Sequence, residues 1–544
     1  MEVNFLRLNR LKEMRTWSLF FMTCASALLL AASFPPFNAT ALAWVCLAPF
    51  FYALRKSNIA AASIYGYVFG YVFGACTFFW VNSIAIVSVI NFLMLLPIFG
   101  FYFVIFGILY RFLSKTSAPL IIISAPCLWV TLEFIRSNIS FLSWPWNLLG
   151  YTQHNFLHII QIADVIGVYG ISFLIVLTNQ LLSQLPELLV KQRSGKDTAD
   201  LNVKKKRFLI NAALILLFLS GTFVYGKQQL LVPESNSQIR VALIQANILA
   251  KDNMTYDEQM VHMSKYKKLT LGAARENPDL IIWPASSLPG PISSRLVNFT
   301  MRRIAFEADT YLLAGGAGNE KLKPAEDGFN GYSNSEFLFS PMGILEGQYN
   351  KIRLLPFNEY LPMQGKVRWP SWITILQTSF IPGNTFTLFN VNGAKFGTPI
   401  CWENMFPDLF RQFVLKGAQF MVSATNEGFF SNTSGHYQSL AMNVFRAVEN
   451  RVEIARSNTT GISCFIDRNG EVTERISDEN GRDIFVSGYV VRNIYLSDSK
   501  TFYTKYGDVF AYVTIAWTVF SILISILLIR SGIVNRDKTQ SITG

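Results

Sequence analysis

Residues 394–408, AKFGTPICWENMFPD, decide the reading of this chain. An apolar strand runs into Cys401, Glu403 follows two residues later, and a Pro-Asp turn closes the stretch. A thiol at a strand end, where the backbone turns, is exposed while its neighbours stay packed, so Cys401 is a candidate nucleophile. A buried cysteine filling a small apolar slot fits the same residues. Other stretches bear on the choice, because thiol chemistry needs a charge to stabilise the thiolate or oxyanion and a group to move protons. Residues 349–362, YNKIRLLPFNEYLP, put Lys351 after a strand and Glu359 in the following turn. Residues 279–289, DLIIWPASSLP, form a second buried strand ending in a Trp-Pro break.

A strand ending in Trp-Pro-Glu, a Tyr-Asn-Lys segment leading to Pro-Phe-Gly-Glu-Tyr, and a strand ending in Ile-Cys-(Tyr/Trp)-Glu resemble, in that order, the marks of the nitrilase superfamily. The resemblance implies a Glu-Lys-Cys triad, with Cys401 as nucleophile and Lys351 as the lysine. Glu359 and Glu403 match two acidic residues that flank this site in membrane-bound members. The family's general-base glutamate falls on position 285, which is Ala285. Alanine carries no proton, and Ser286 and Ser287 are too weakly basic to replace the carboxylate. Three explanations stay open: an inactivating change, a base supplied by Glu359 or Glu403, or a slow enzyme using its intrinsic thiolate fraction. General-base catalysis contributes about a hundred- to ten-thousand-fold, so its loss need not abolish turnover.

Of the 544 residues 51% are hydrophobic and only 15% charged, too apolar for an ordinary soluble enzyme. The net charge of +12 does not read as a nucleic-acid surface, because the basic residues sit between apolar runs. A crossing needs about 20 apolar residues, and residues 1–226 hold enough for about seven: 17–34, 41–54, 59–84, 87–112, 118–135, 163–185 and 208–225. Residues 509–529 add one, giving about eight. Clusters at Arg7, Arg10, Lys12 and Arg15, at Arg55 and Lys56, at Arg111 and Lys115, at Lys191, Arg193, Lys196 and 204–207, and at Arg530, Arg536 and Lys538 all fall on one side if both termini are cytoplasmic. The expected organisation is a membrane domain over 1–226, an extracytoplasmic domain over 227–506, and a last span with a cytoplasmic tail over 507–544. The first apolar segment lacks a cleavage site and reads as an uncleaved helix.

Glycines at 66, 70 and 74 among aromatics mark close helix packing, and Trp144 and Trp146 suit a membrane interface. Glu133 and Arg136 stand one helical turn apart near the outer interface. Taken with SFPPFN (33–38) and GVYGISF (167–173), these stretches resemble the membrane half of bacterial apolipoprotein N-acyltransferases, so the likeness covers nearly the whole chain.

In the outer domain, strands are expected at 240–246, 280–283, 311–314, 336–339, 396–401, 420–424, 452–457, 463–467 and 485–491, with helices between, for example 258–276 and 437–450. Periodicity alone gives an α/β domain; the resemblance implies a four-layer α-β-β-α sandwich. ATNEGFF (424–430) sits where the family has Thr-Asn-Asp followed by Trp-Phe, with Glu427 and Phe429 as departures. Arg446 and Glu449 read as an ion pair on a helix face. In QANILAKDNMTYD (245–257) the family's proline and tryptophan are missing, and Tyr256 is either a replacement aromatic contact or a surface residue. Cys401 and Cys464 are the two cysteines outside expected spans, and an oxidising compartment would permit a disulfide between them. The four histidines lack ligand-like spacing and no glycine-rich phosphate loop follows a strand, so neither a metal nor a nucleotide cofactor is expected.

A membrane-held thiol with Lys351 beside it suits attack on a lipid ester, giving a thioester that an amine then resolves to an amide. The resemblance implies phosphatidylethanolamine or a similar phospholipid as acyl donor, the diacylglyceryl-cysteine of an apolipoprotein as acceptor, and the bacterial inner membrane as location. A catalytically silent lipid- or lipoprotein-binding relative and a nitrilase-like amidase are the alternatives.

Overall fold

The computed structural model describes residues 2–83, 89–116, 120–189, 195–249, 254–319, 331–363, 365–370 and 380–531. Lys191, Arg193, Arg536 and Lys538 of the expected basic clusters lie outside them. Among the described residues five helices are long and apolar enough to cross a membrane: Ile59–Thr77, Phe92–Thr116, Ala163–Leu188, Leu201–Leu230 and Val509–Arg530. The apolar part of Leu201–Leu230 is only 11% buried within the protein, so its leucines and phenylalanines face outward, as on a lipid-contacting helix. A shorter apolar helix covers Thr16–Ala32.

The stretch expected as a second span, 41–54, is broken into a 3-10 turn, Thr40–Trp44, and a nine-residue helix, Ala48–Lys56. Pro49 stands in the first turn of that helix, where its missing N–H is tolerated. Nine residues rise only about 14 Å, less than half the hydrocarbon thickness. The glycine spacing acts as expected. A Cβ on Gly66 or Gly70 would collide with the carbonyls of Phe103 and Phe99, so these glycines let Ile59–Thr77 lie directly against Val89–Thr116.

The strand-rich part contains, in chain order, β1 (Gln238–Gln245), β2 (Leu280–Ile282), β3 (Tyr311–Asn319), β4 (Tyr332–Phe339), β5 (Leu345–Asn350), β6 (Phe389–Val391), β7 (Ala394–Gly397), β8 (Phe420–Thr425), β9 (Ile454–Asn458), β10 (Cys464–Ile466), β11 (Val472–Arg475) and β12 (Gly488–Tyr495). They form two six-stranded sheets, ordered β12-β1-β2-β3-β4-β5 and β11-β10-β9-β8-β7-β6. Alternation fixes the layers. On β1, Val241 and Leu243 pack into the core between the sheets, while Ala242 and Ile244 pack against the helices Tyr256–Ala274 and Arg295–Ala308. The second sheet is covered by Pro407–Leu415 and Gly435–Asn450, whose buried faces carry Phe410, Phe413, Val444 and Val448. The result is the α-β-β-α sandwich.

Two expected strands are corrected. The strand placed at 396–401 ends at Gly397; Pro399 cannot donate to a ladder, and only an isolated bridge joins Ile400 to Ala424. The strand placed at 485–491 begins at Gly488, because Phe485 takes φ 55°, outside the extended region.

Candidate active site

Cys401 opens a 3-10 turn, Cys401–Met405, directly after the last bridge of its strand. Its φ of 50° places a non-glycine residue in the left-handed region, a conformation that recurs where backbone strain serves a site. The half-buried thiol donates to the Asn426 carbonyl at 3.8 Å, at the end of β8. Burial pushes the thiol pKa up, and the Lys351 charge pulls against it. All six cysteines are free, and Cys464 lies fully buried in β10.

Lys351 follows the last residue of β5 and is 1% exposed. Its Nζ donates to both oxygens of Glu359, at 2.9 and 2.8 Å. Burial alone would lower the ammonium pKa, but Glu359, Cys401 and Glu403 around it leave it raised, so the lysine stays charged. Glu359 is fixed in turn by Asn334 Nδ2 at 2.8 Å and the Leu355 N–H at 2.6 Å.

Glu403 is fully buried and accepts from the Tyr349 hydroxyl at 3.0 Å and from the N–H groups of Ile352, Arg353 and Ile400 at 2.7, 2.9 and 2.8 Å. It therefore ties the segment after β5, which carries Lys351, to the turn that carries Cys401. Burial raises its pKa, with Lys351 and the backbone donors opposing. Its acceptor capacity is taken up by structure.

The four residues read from the sequence thus meet at one place, while Ala285 lies against Gly315 on β3. It follows β2, is 1% exposed and packs in the core between the sheets. One residue that sequence reasoning passed over lies beside it. Glu336 on β4 is 0% exposed, and neither carboxylate oxygen has a hydrogen-bond partner among the described residues. Burial holds its pKa well above the usual carboxylate range. The available signal was an acid heading the apolar run EFLF that ends β4.

Glu427 is held by Arg456, by Asn458 Nδ2 at 2.6 Å and by His436 Nδ1 at 3.1 Å. Burial would raise its pKa, but Arg456 and His436 overcome that and hold it at about 2. Arg446 and Glu449 form the expected pair, at 2.8 Å, but fully buried. Glu449 also accepts from the Val168 N–H at 3.1 Å, so the pair pins the two-sheet part to the apolar helix Ala163–Leu188. Tyr256 is 63% exposed, in keeping with a surface residue.

The membrane half reaches the thiol's own turn. Trp402 packs on Trp144 with ring centres 5.4 Å apart, and Trp146 is held by Gln438 Oε1 at 2.8 Å. Arg136 reaches the Trp146 carbonyl at 3.0 Å, locking the loop between them. Beside this contact a cavity of about 270 Å³ opens, lined by Phe141, Ser143, Arg353, Tyr360, Trp402 and Phe406.

Residues 240–488 match the carbon-nitrogen hydrolase family, so the two-sheet part is that of a nitrilase-superfamily enzyme. Residues 26–181 match the apolipoprotein N-acyltransferase N-terminal domain. The apolipoprotein N-acyltransferase of Geobacter metallireducens is 33% identical over 91% of this chain and 93% of its own. An apolipoprotein N-acyltransferase of Treponema denticola is 27% identical over 92% and 93%. An amidase from Nesterenkonia sp. overlaps 51% of this chain and 94% of its own at 18% identity and a TM-score of 0.37. The chain belongs to the apolipoprotein N-acyltransferase family.

Proposed function

We propose that the chain moves an acyl group from a phospholipid, with phosphatidylethanolamine the expected donor, to the N-terminal amine of a diacylglyceryl apolipoprotein. Cys401 carries the acyl group as a thioester. The supporting observation is a charged, buried Lys351 at the thiol's side, on a turn packed against membrane-half tryptophans. Cys401 Sγ attacks the ester carbonyl, the C–S bond forms, and the C–O bond to the lyso-lipid breaks as a proton reaches its oxygen. The acceptor amine then attacks the thioester, C–N forms, C–S breaks, and the amine's proton returns to the thiolate.

Lys351 stabilises the oxyanion in both steps. Glu359 holds Lys351 in place, and Glu403 sets the distance between the lysine and thiol segments. The cavity beside Trp402 faces the membrane-helix loop, where a lipid ester held in the leaflet can approach. A silent relative would have no use for an ammonium kept buried and charged, since burying an ion costs several kcal/mol before pairing. A small-amide hydrolase would have no use for the membrane half.

The arrangement we infer is a membrane domain over 1–226, a catalytic domain over 227–506 and a closing span with its tail over 507–544, with about eight crossings in all. Both termini are cytoplasmic and the catalytic domain is periplasmic, on a bacterial inner membrane, a reading supported by the basic clusters between spans. The test is incubation of the purified full-length protein with phosphatidylethanolamine vesicles and a diacylglyceryl-cysteinyl peptide. A triacylated peptide from the parent and none from Cys401→Ala is the expected result. No product from the parent, or equal product from Cys401→Ala, refutes the reading.

A further inference from the structure

Position 285 lacks the family's carboxylate, yet the space beside it is occupied by one. A Cβ built on Gly315 would collide with Glu336 Oε1 and lie 2.6 Å from Ala285 Cα and 2.9 Å from the Ser286 nitrogen. The Glu336 carboxylate, the Ala285 backbone and the hydrogen of Gly315 therefore share one small space. Any side chain at 315 would close it.

The register of β4 aims Glu336 at the same layer as the site. Phe337 and Phe339 pack toward the helices, while Leu338 packs between the sheets, so Asn334, Glu336 and Leu338 share the inward face. Asn334 on that face reaches Glu359. Across the ladder Glu336 lies opposite Gly315 on β3 and Tyr349 on β5, and Tyr349 bonds Glu403. The Lys351 N–H meets the Asn334 carbonyl at 2.8 Å, so Lys351 is the diagonal neighbour of Glu336. Diagonal neighbours stand about 7–8 Å apart at the backbone, within reach of long side chains. A fully buried carboxyl with no partner among the described residues is costly, and native proteins keep such groups where they serve chemistry.

We propose that Glu336 supplies from β4 the general base that the family places at position 285. The proposal rests on the reading of Cys401 as the acyl-carrying nucleophile. In acylation the Glu336 carboxylate takes the Cys401 proton as Sγ bonds to the ester carbonyl carbon, and hands it to the lyso-lipid oxygen as C–O breaks. In transfer it takes the proton of the attacking amine as C–N forms, and returns it to Sγ as C–S breaks. Its dry surroundings strengthen it as a base, which suits removal of a thiol proton.

The experiment follows the rate of acyl-adduct formation at Cys401 by intact-protein mass spectrometry, from pH 5 to 9, in full-length protein with phosphatidylethanolamine vesicles. The variants are Glu336→Gln, the exchange Ala285→Glu with Glu336→Ala, and Cys401→Ala. Glu336→Gln is expected to slow acylation about a hundred- to ten-thousand-fold and to erase the acid limb of the profile. The exchange is expected to recover at least about tenfold of that loss, because it returns a carboxylate to the same space from β2. A Glu336→Gln form that acylates at the parent rate with the parent pH profile overturns the proposal while leaving the nucleophile reading intact. Should Glu336→Gln not fold, the exchange decides: acylation supports the proposal, and a folded but inert protein overturns it. No adduct in the parent overturns the nucleophile reading and this proposal with it.

Discussion

Glu403 and Glu336 are equally buried carboxyls, and they could hardly be held more differently. Glu403 is met by a tyrosine hydroxyl and three backbone N–H groups drawn from both segments of the site. Glu336 has no partner among the described residues, although it stands opposite that same tyrosine in the ladder. A carboxyl whose lone pairs are all engaged is a fastener, since its proton affinity is used to hold backbone together. One kept dry and unengaged retains its basicity. The contrast separates the two acids by what each is free to do, which their spacing in the chain does not.

The largest expected effect that can break the contrast is kinetic. Glu336→Gln should slow acylation by at least about a hundredfold and leave the melting temperature equal or higher, as read by calorimetry beside the acylation assay. Equal losses of rate and stability would make Glu336 a fastener too. Glu403→Ala should act in reverse, destabilising the fold by about 3–5 kcal/mol in denaturant titrations, because buried donors lose their partner. A folded, full-stability Glu403→Ala would remove its fastening role.

The same comparison carries a pH sign. Burial raises the Glu336 carboxyl, so the folded chain binds its proton more tightly than the unfolded chain. Stability present in acid is therefore lost as pH rises from the unfolded carboxylate range, about 4.3, through the raised folded value. Thermal melts should show Glu336→Gln gaining on the parent as pH rises over that window; parallel curves would contradict the assignment. Gly315→Ala sharpens it further. A methyl group at 315 must displace Glu336 or Ala285, at about 1–3 kcal/mol, with a fall in acylation, whereas Gly417→Ala, with open space around its Cβ, carries only left-handed backbone strain. The smallest effect belongs to Tyr349→Phe, about 0.5–1.5 kcal/mol, because Glu403 keeps its three backbone donors.

Much of this was legible in the sequence. Continuous apolar strands marked the buried sheets, and WPA, YNK and ICWE, read by their order along the chain, placed Ala285, Lys351 and Cys401 each after a strand; that these strands, β2, β5 and β7, come from both sheets was not legible. Short strands such as β6 and β11 were missed because three or four residues carry too little pattern. Glu336 was missed for a different reason. Its importance comes from Gly315, 21 positions away across the ladder, and no local motif marks a residue whose neighbour is an empty side chain. Trp144 and Trp146 suit a membrane interface by residue type, but their contact with Trp402 joins segments some 250 residues apart, which hydropathy does not report. The break within 41–54 went unread because its composition is continuous with a crossing while Pro49 restarts the helix.

The most direct test of the central claim is peptide mapping of the parent protein after incubation with phosphatidylethanolamine and no acceptor. One hydroxylamine-labile acyl group is expected, on the peptide carrying Cys401, discharged when the diacylglyceryl peptide is added. An acyl group on another residue, or transfer to the peptide with Cys401 never modified, would contradict it.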